Sequence, residues 1–137
     1  MSKRGNSKRF IVAVALSLAA STVALPAFAD DDAATIEAGG RTFVRYCALC
    51  HGLSATGDGP LTESLQTPPP DLTKLAARND GTFPEARVKE IIEKGGPKGH
   101  GMMAMLAWGK VFNEEVGSDS HKVIDELAAY LKSMQKP

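Results

Sequence analysis

The stretch "RYCALCHG", residues 45–52, holds both cysteines of this 137-residue chain, with His51 directly behind the second. Two thiols and an imidazole inside five residues leave few options. Any disulfide, metal centre or covalent attachment that uses sulfur must be organised at this one point, and the rest of the chain must fold around it.

The compartment narrows the options further. Lys3, Arg4, Lys8 and Arg9 precede the apolar run "FIVAVALSLAA", and "STVALPAFAD" comes next with small residues at Ala27 and Ala29. A basic start, an apolar middle and a small-residue end form the pattern of a secretory signal, here cleaved after Ala29. A retained anchor is the weaker reading, because the run from Phe10 to Ala20 is shorter than the roughly 20 apolar residues that span a bilayer. The expected organisation is thus a signal peptide over 1–29 and one domain over 30–137, exported to the periplasm, with no membrane insertion after cleavage. The leader carries four of the 16 basic residues and none of the 16 acidic ones, so the mature chain has 12 against 16, a net charge of −4. That balance argues against nucleic acid and provides no basic patch for anionic lipid.

Helical periodicity dominates the chain beyond Ala29. Ile36, Gly40, Phe43, Val44 and Cys47 recur at spacings of three, four and seven, predicting a helix over about 33–49 that ends at the cysteine motif. Its glycines, Gly39 and Gly40, each cost about 1 kcal/mol relative to alanine, which predicts close approach of a second helix. The segment "GLSATGDGPLTESLQTPPPDL" reads as loop, with a short helix over 72–77 after it. Thr82 and Glu85 have capping-box spacing, Pro84 suits a first turn, and Val88, Ile91 and Ile92 share a stripe that Gly95 and Gly96 end. One helical turn is expected near residues 108–112. The last helix, "HKVIDELAAYLKSMQ", sets Val123, Ile124, Leu127, Tyr130, Leu131 and Met134 on one wide apolar face. No segment alternates with period two long enough to make a strand, so the expected fold is all-α: about three main helices with short helices and long loops. Removing 29 residues leaves 108, a size that rarely tolerates loops of twenty positions unless something else holds them, and a large apolar cofactor would do so.

The motif fits such a cofactor. Thiols spaced C-x-x-C at a helix end can both reach one edge of a haem and add to its vinyl groups, and the next residue can present its imidazole to the iron. "CALCH" supplies Cys47 and Cys50 as thioether links and His51 as an axial ligand. Three rivals remain. A redox disulfide would want a βαβ pattern, which the chain lacks. Tetrahedral zinc would need His100 or His121 as a fourth ligand at unusual spacing. Two unpaired structural thiols suit an oxidising compartment poorly.

On these residues the chain resembles the class I c-type cytochromes, small soluble electron carriers with one covalently bound haem c. "GGRTF" ahead of "CALCHG" resembles the family's first helix, with Gly39 and Phe43 eight and four residues before Cys47. "IDELAAYLKSM" resembles its last helix, with Leu127, Tyr130 and Leu131 at the apolar positions. The resemblance implies that these two helices cross at the glycine. It also places Pro60, in "GDGP", where the family often has a proline whose carbonyl accepts a hydrogen bond from the axial imidazole.

The second axial ligand is expected in "HGMMAMLAWG". Family members commonly show methionine, proline, any residue, then an aromatic. With Trp108 as the aromatic this spacing selects Met105, although Leu106 stands where the proline would be, so Met102, Met103 and His100 stay open. Unused methionines suit pocket packing. Trp108 and Phe112 are expected in the pocket wall, with the Trp108 indole N–H within reach of a propionate. Arg78 is expected as a surface charge that could pair with a propionate, and His121 as a solvated residue.

With iron held on both sides by protein, through His51 and Met105, the remaining chemistry is one-electron transfer. The expected function is a monomeric periplasmic carrier with transient redox donors and acceptors. The alternatives are a cytochrome subunit stably bound to a dehydrogenase or terminal oxidase, or a haem enzyme with an open sixth site.

Overall fold

The computed structural model describes residues 28–96 and 105–137. The expected leader lies outside these residues except for its last two positions, and His100, Met102 and Met103 also lie outside them. Five α-helical segments succeed one another: α1 (Phe28–Tyr46), a single turn α2 (Ala48–His51), α3 (Glu85–Lys94), α4 (Trp108–Val116) and α5 (Ser120–Ser133). Short 3-10 turns occupy Thr62–Ser64, Leu72–Lys74 and Gly117–Asp119. There is no strand among the described residues, in keeping with an all-α cytochrome c fold.

The frame is the crossing of α1 and α5. A Cβ at Gly39 would lie 1.9 Å from the Glu126 carbonyl oxygen and 2.9 Å from Tyr130 Cβ, so only glycine lets the two backbones meet there. One turn on, Phe43 is 1 % exposed, as is Leu127 facing it from α5, and the Phe43 and Tyr130 rings lie 5.4 Å apart. Ile124, Ala128 and Leu131 complete the α5 side, and Val88, Ile92 and Phe112 bring α3 and α4 onto the same core. Burying these side chains, at about 25 cal/mol per Å² of apolar surface, is the main stabilising term of the polypeptide.

The structure departs from the sequence expectations in several places, and the helix expected over 72–77 is only a 3-10 turn, Leu72–Lys74. Val44 is 55 % exposed: the inward row of α1 runs through Gly39 and Phe43, while Ile36, Gly40 and Val44 line its edge beside Tyr130. α1 opens at Phe28 rather than near 33. The Thr82–Glu85 box does not form: α3 has Pro84 at its N-cap with no side-chain cap, and the Glu85 carboxylate bonds Lys89 and Lys132 instead. α4 runs two turns and more, because Trp108 and Phe112 share one buried face beneath a polar exterior.

The stretch between α2 and α3 is held by the chain itself. Gln135 Nε2 donates to the carbonyls of Leu72 and Leu131, its Oε1 accepts from Ala76 N–H, and Lys136 N–H donates to the Thr73 carbonyl. Asp71 caps the 72–74 turn by accepting from the backbone and the hydroxyl of Thr73. The Arg78 guanidinium donates to the Asp71 carbonyl, an exposed contact that closes the same turn.

Candidate functional site

Cys47, Cys50 and His51 are brought together where α1 gives way to α2. Cys47 N–H still bonds the Phe43 carbonyl of α1, and the N–H groups of Cys50 and His51 both bond the Cys47 carbonyl, so the motif is wound on a helix end. A one-turn helix leaves four carbonyls unpaired at its C-terminus. Here each has a partner: Ala48 accepts from Gly52, Leu49 from Leu61, Cys50 from Gly59 and the Thr62 hydroxyl, and His51 from Gly57. The loop therefore folds back along α2 and clamps it.

Glycine makes that approach possible. A Cβ at Gly59 would lie 2.5 Å from the Leu49 carbonyl oxygen, and one at Gly57 2.3 Å from the Pro69 carbonyl oxygen. Ala55 is fully buried in this turn with a φ of 57°, and its carbonyl accepts from Leu72 N–H, which carries the chain past the imidazole.

His51 is 8 % exposed. Burial pushes its pKa below the ordinary histidine value, while the nearby Pro70 carbonyl acts in the opposite sense, so the ring is neutral at pH 7. The Pro70 contact falls short of good hydrogen-bond geometry, and Nδ1 is buried without a partner. A buried orphan of this kind costs about 1–3 kcal/mol and calls for an explanation. A ring that uses one nitrogen on a carbonyl and the other on a metal provides one. The carbonyl facing the ring is that of Pro70, whereas Pro60, expected in this role, sits exposed on the outside of the fold-back. Gly59 and Leu61 use their N–H groups on α2, which turns Pro60 outward and leaves the triproline segment to pass the imidazole. The signal for Pro70 was the proline run itself, since a stiff extended segment presents its carbonyls at fixed positions.

Both cysteines are unbonded and half-buried. Burial, with a smaller contribution from Cys50, pushes the Cys47 thiol up to about 12, so the unattached thiol stays protonated. Among the described residues no three histidine, cysteine or acidic side chains converge on one point, as a protein zinc site requires. Two free thiols beside a neutral imidazole with an orphaned nitrogen fit a haem held through sulfur and nitrogen.

Met105 is half-buried and packs on the same core as Cys47, Tyr46 and Trp108. Its carbonyl accepts from Gly96 N–H at 3.2 Å, which joins it to the end of α3. Trp108 begins α4 inside an aromatic cluster, with ring centroids 5.4 Å from Tyr46 and 5.9 Å from Phe112. Tyr46, to which no sequence pattern pointed, also meets Phe112 edge-on at 5.4 Å, and its hydroxyl hydrogen-bonds Glu115. His121 is exposed, as expected.

The family model described as cytochrome c oxidase, cbb3-type, subunit III matches residues 34–131, which takes in α1 from its second turn, the motif and nearly all of α5. No match was found among curated proteins or among solved structures. The family's domain binds haem c and transfers electrons, which removes the haem-enzyme alternative. By its fold, its thiol–imidazole site and this match, the chain belongs to the cbb3-type cytochrome c oxidase subunit III family of cytochrome c domains.

Proposed function

We propose that this protein is a periplasmic one-electron carrier, exported by cleavage after Ala29, in which Cys47 and Cys50 hold haem c by thioether bonds and His51 and Met105 are its axial ligands. The observation that carries the reading is the buried, neutral His51 with an orphaned Nδ1, one turn from two free thiols. Bound haem c supplies the reversible one-electron change of iron.

The chain's contribution is to hold its ligands still. The four bonded carbonyls of α2 fix the backbone beneath His51, and one ring nitrogen turned to the Pro70 carbonyl would leave the other for the metal. A neutral ring needs no deprotonation before ligation. Met105, tied through Gly96, brings a thioether that favours the reduced state. Trp108 forms part of the pocket wall. With His51 and Met105 holding the haem, electrons would pass to and from protein partners in brief contacts at the small end of interface areas, below about 1,200 Å².

A second reading, stable association with a terminal oxidase, draws support from the description of the matching family. Purification from the native host separates the two: a carrier runs alone, a subunit co-purifies with an oxidase.

Expression in a host able to attach haem should yield coloured protein heavier than its polypeptide by one haem. Its ferric spectrum should show the weak long-wavelength band of sulfur-to-iron ligation, lost in Met105→Ala and kept in Met102→Ala and Met103→Ala. Colourless protein at the bare polypeptide mass would end this reading, and a band that survives Met105→Ala would reassign the ligand.

A further inference from the structure

We infer that Tyr46 is a positioning residue for the distal ligand, coupling the thiol-bearing end of α1 to the segment that carries Met105. The inference rests on the reading of Met105 as a ligand and adds what holds it in place.

Between Met105 and α4 stand only Leu106 and Ala107, both exposed, and Ala107 is extended. Among the described residues, Met105 is therefore tied from two sides. Upstream, the Gly96 N–H bond ties its carbonyl to the end of α3. Downstream, it depends on whatever holds Trp108, three residues on. Among the described residues the Trp108 ring meets two others: Phe112 belongs to the same helix and moves with it, whereas Tyr46 belongs to α1 and, with α3 and α5 also packed on α4, is the tie from α4 to the thiol-bearing helix. Tyr46 grips α4 at both ends, its ring on Trp108 and Phe112 in the first turns and its hydroxyl on Glu115 in the last. Two separated holds fix orientation as well as distance. The Arg45 guanidinium also lies over this ring, 4.9 Å from its centroid. Tyr46 immediately precedes Cys47, so this hold on α4 is anchored one residue from a thiol proposed to bear the haem.

Loosening this grip should let Met105 leave iron more readily without removing His51 or the thioethers. The readout is imidazole binding to the ferric holoprotein, monitored by loss of the sulfur-to-iron band, because exogenous imidazole binds only where methionine has left. An aromatic contact corresponds to roughly a two- to ten-fold change in an equilibrium constant. Tyr46→Ala, which removes two, should raise imidazole affinity about ten-fold or more, and Tyr46→Phe and Glu115→Ala, which remove the hydroxyl contact only, about three-fold. Tyr130→Ala at the α1–α5 crossing is the control for general destabilisation: it should lower Tm and change imidazole affinity less than about two-fold. Should Tyr46→Ala fail to mature, Tyr46→Phe and Glu115→Ala carry the test. Unchanged affinity in the Tyr46 and Glu115 variants, or an equal rise in Tyr130→Ala, would overturn the inference. Absence of the sulfur-to-iron band from the unsubstituted protein would instead overturn the Met105 reading on which it rests.

Discussion

The two sides of the site are built by different means. On the His51 side the loop returns along α2, satisfies four helix-end carbonyls, and is latched by Gln135, just beyond the end of α5. On the Met105 side the described residues show one backbone bond, from Gly96, close passes of Gly95 by the Met105 carbonyl and of Gly109 by Glu93, and a cluster of rings around Tyr46. The first is a hydrogen-bonded clamp in which each partner has a fixed direction. The second has fewer directed bonds and relies more on packing, including aromatic pairs that accept a range of geometries. A site built this way holds His51 by more directed bonds than it holds Met105, so differences in behaviour between related domains should arise mostly on the Met105 side.

Paired glycine substitutions test that contrast most severely. Gly59→Ala places a methyl 2.5–2.6 Å from the backbone of Leu49 and Cys50, which the clamp cannot move aside. A loss of about 3 kcal/mol in denaturant unfolding, or failure to retain haem, is expected. Gly109→Ala on the other side meets the Glu93 side chain at 2.8 Å and its carbonyl at 2.9 Å. Because only one backbone atom there comes nearer than 3.0 Å, against three around Gly59, the expected loss is about 1 kcal/mol, with a weakened sulfur-to-iron band as the more sensitive sign. Equal losses in the two variants would break the comparison.

The smallest effect belongs to neither side. Glu85 pairs with Lys89 and Lys132 on the α3–α5 surface, and Lys89 also reaches Asp125. Hydrogen bonds from these lysines hold the Glu85 carboxyl below its ordinary pKa. A depressed carboxylate contributes stability that is present above its unfolded pKa and lost as pH falls through the folded value. Glu85→Gln should therefore cost no more than about 0.5 kcal/mol at neutral pH, and the difference in Tm should vanish in acid. A larger cost would give this surface network a share of the stability that the buried core otherwise provides.

Legibility in the sequence divides along the same line. The thiols and imidazole could be read because covalent attachment is local chemistry, fixed by spacing along one helix end. Gly39 could be read because a glycine inside a helix is a cost that only a close approach offsets, and Glu126 supplies it. Pro70 could not be placed, because choosing it over Pro60 depends on which N–H groups of the loop reach the carbonyls of α2, a matter of tertiary register rather than composition. The Thr82–Glu85 spacing suggested a cap, but the same glutamate found two lysines across the surface, and tertiary pairing prevailed over the local motif. Tyr46 escaped notice because its partners lie more than sixty positions away and no periodicity announces them.

The close meeting of Gly39 with Glu126 has a kinetic side. These positions lie almost ninety residues apart, so the outermost helices must find each other across nearly the whole domain before either is stabilised, and an entropic search of that span precedes most of the reward. Folding speed should consequently depend on the encounter of α1 with α5, far more than on how readily either coils by itself.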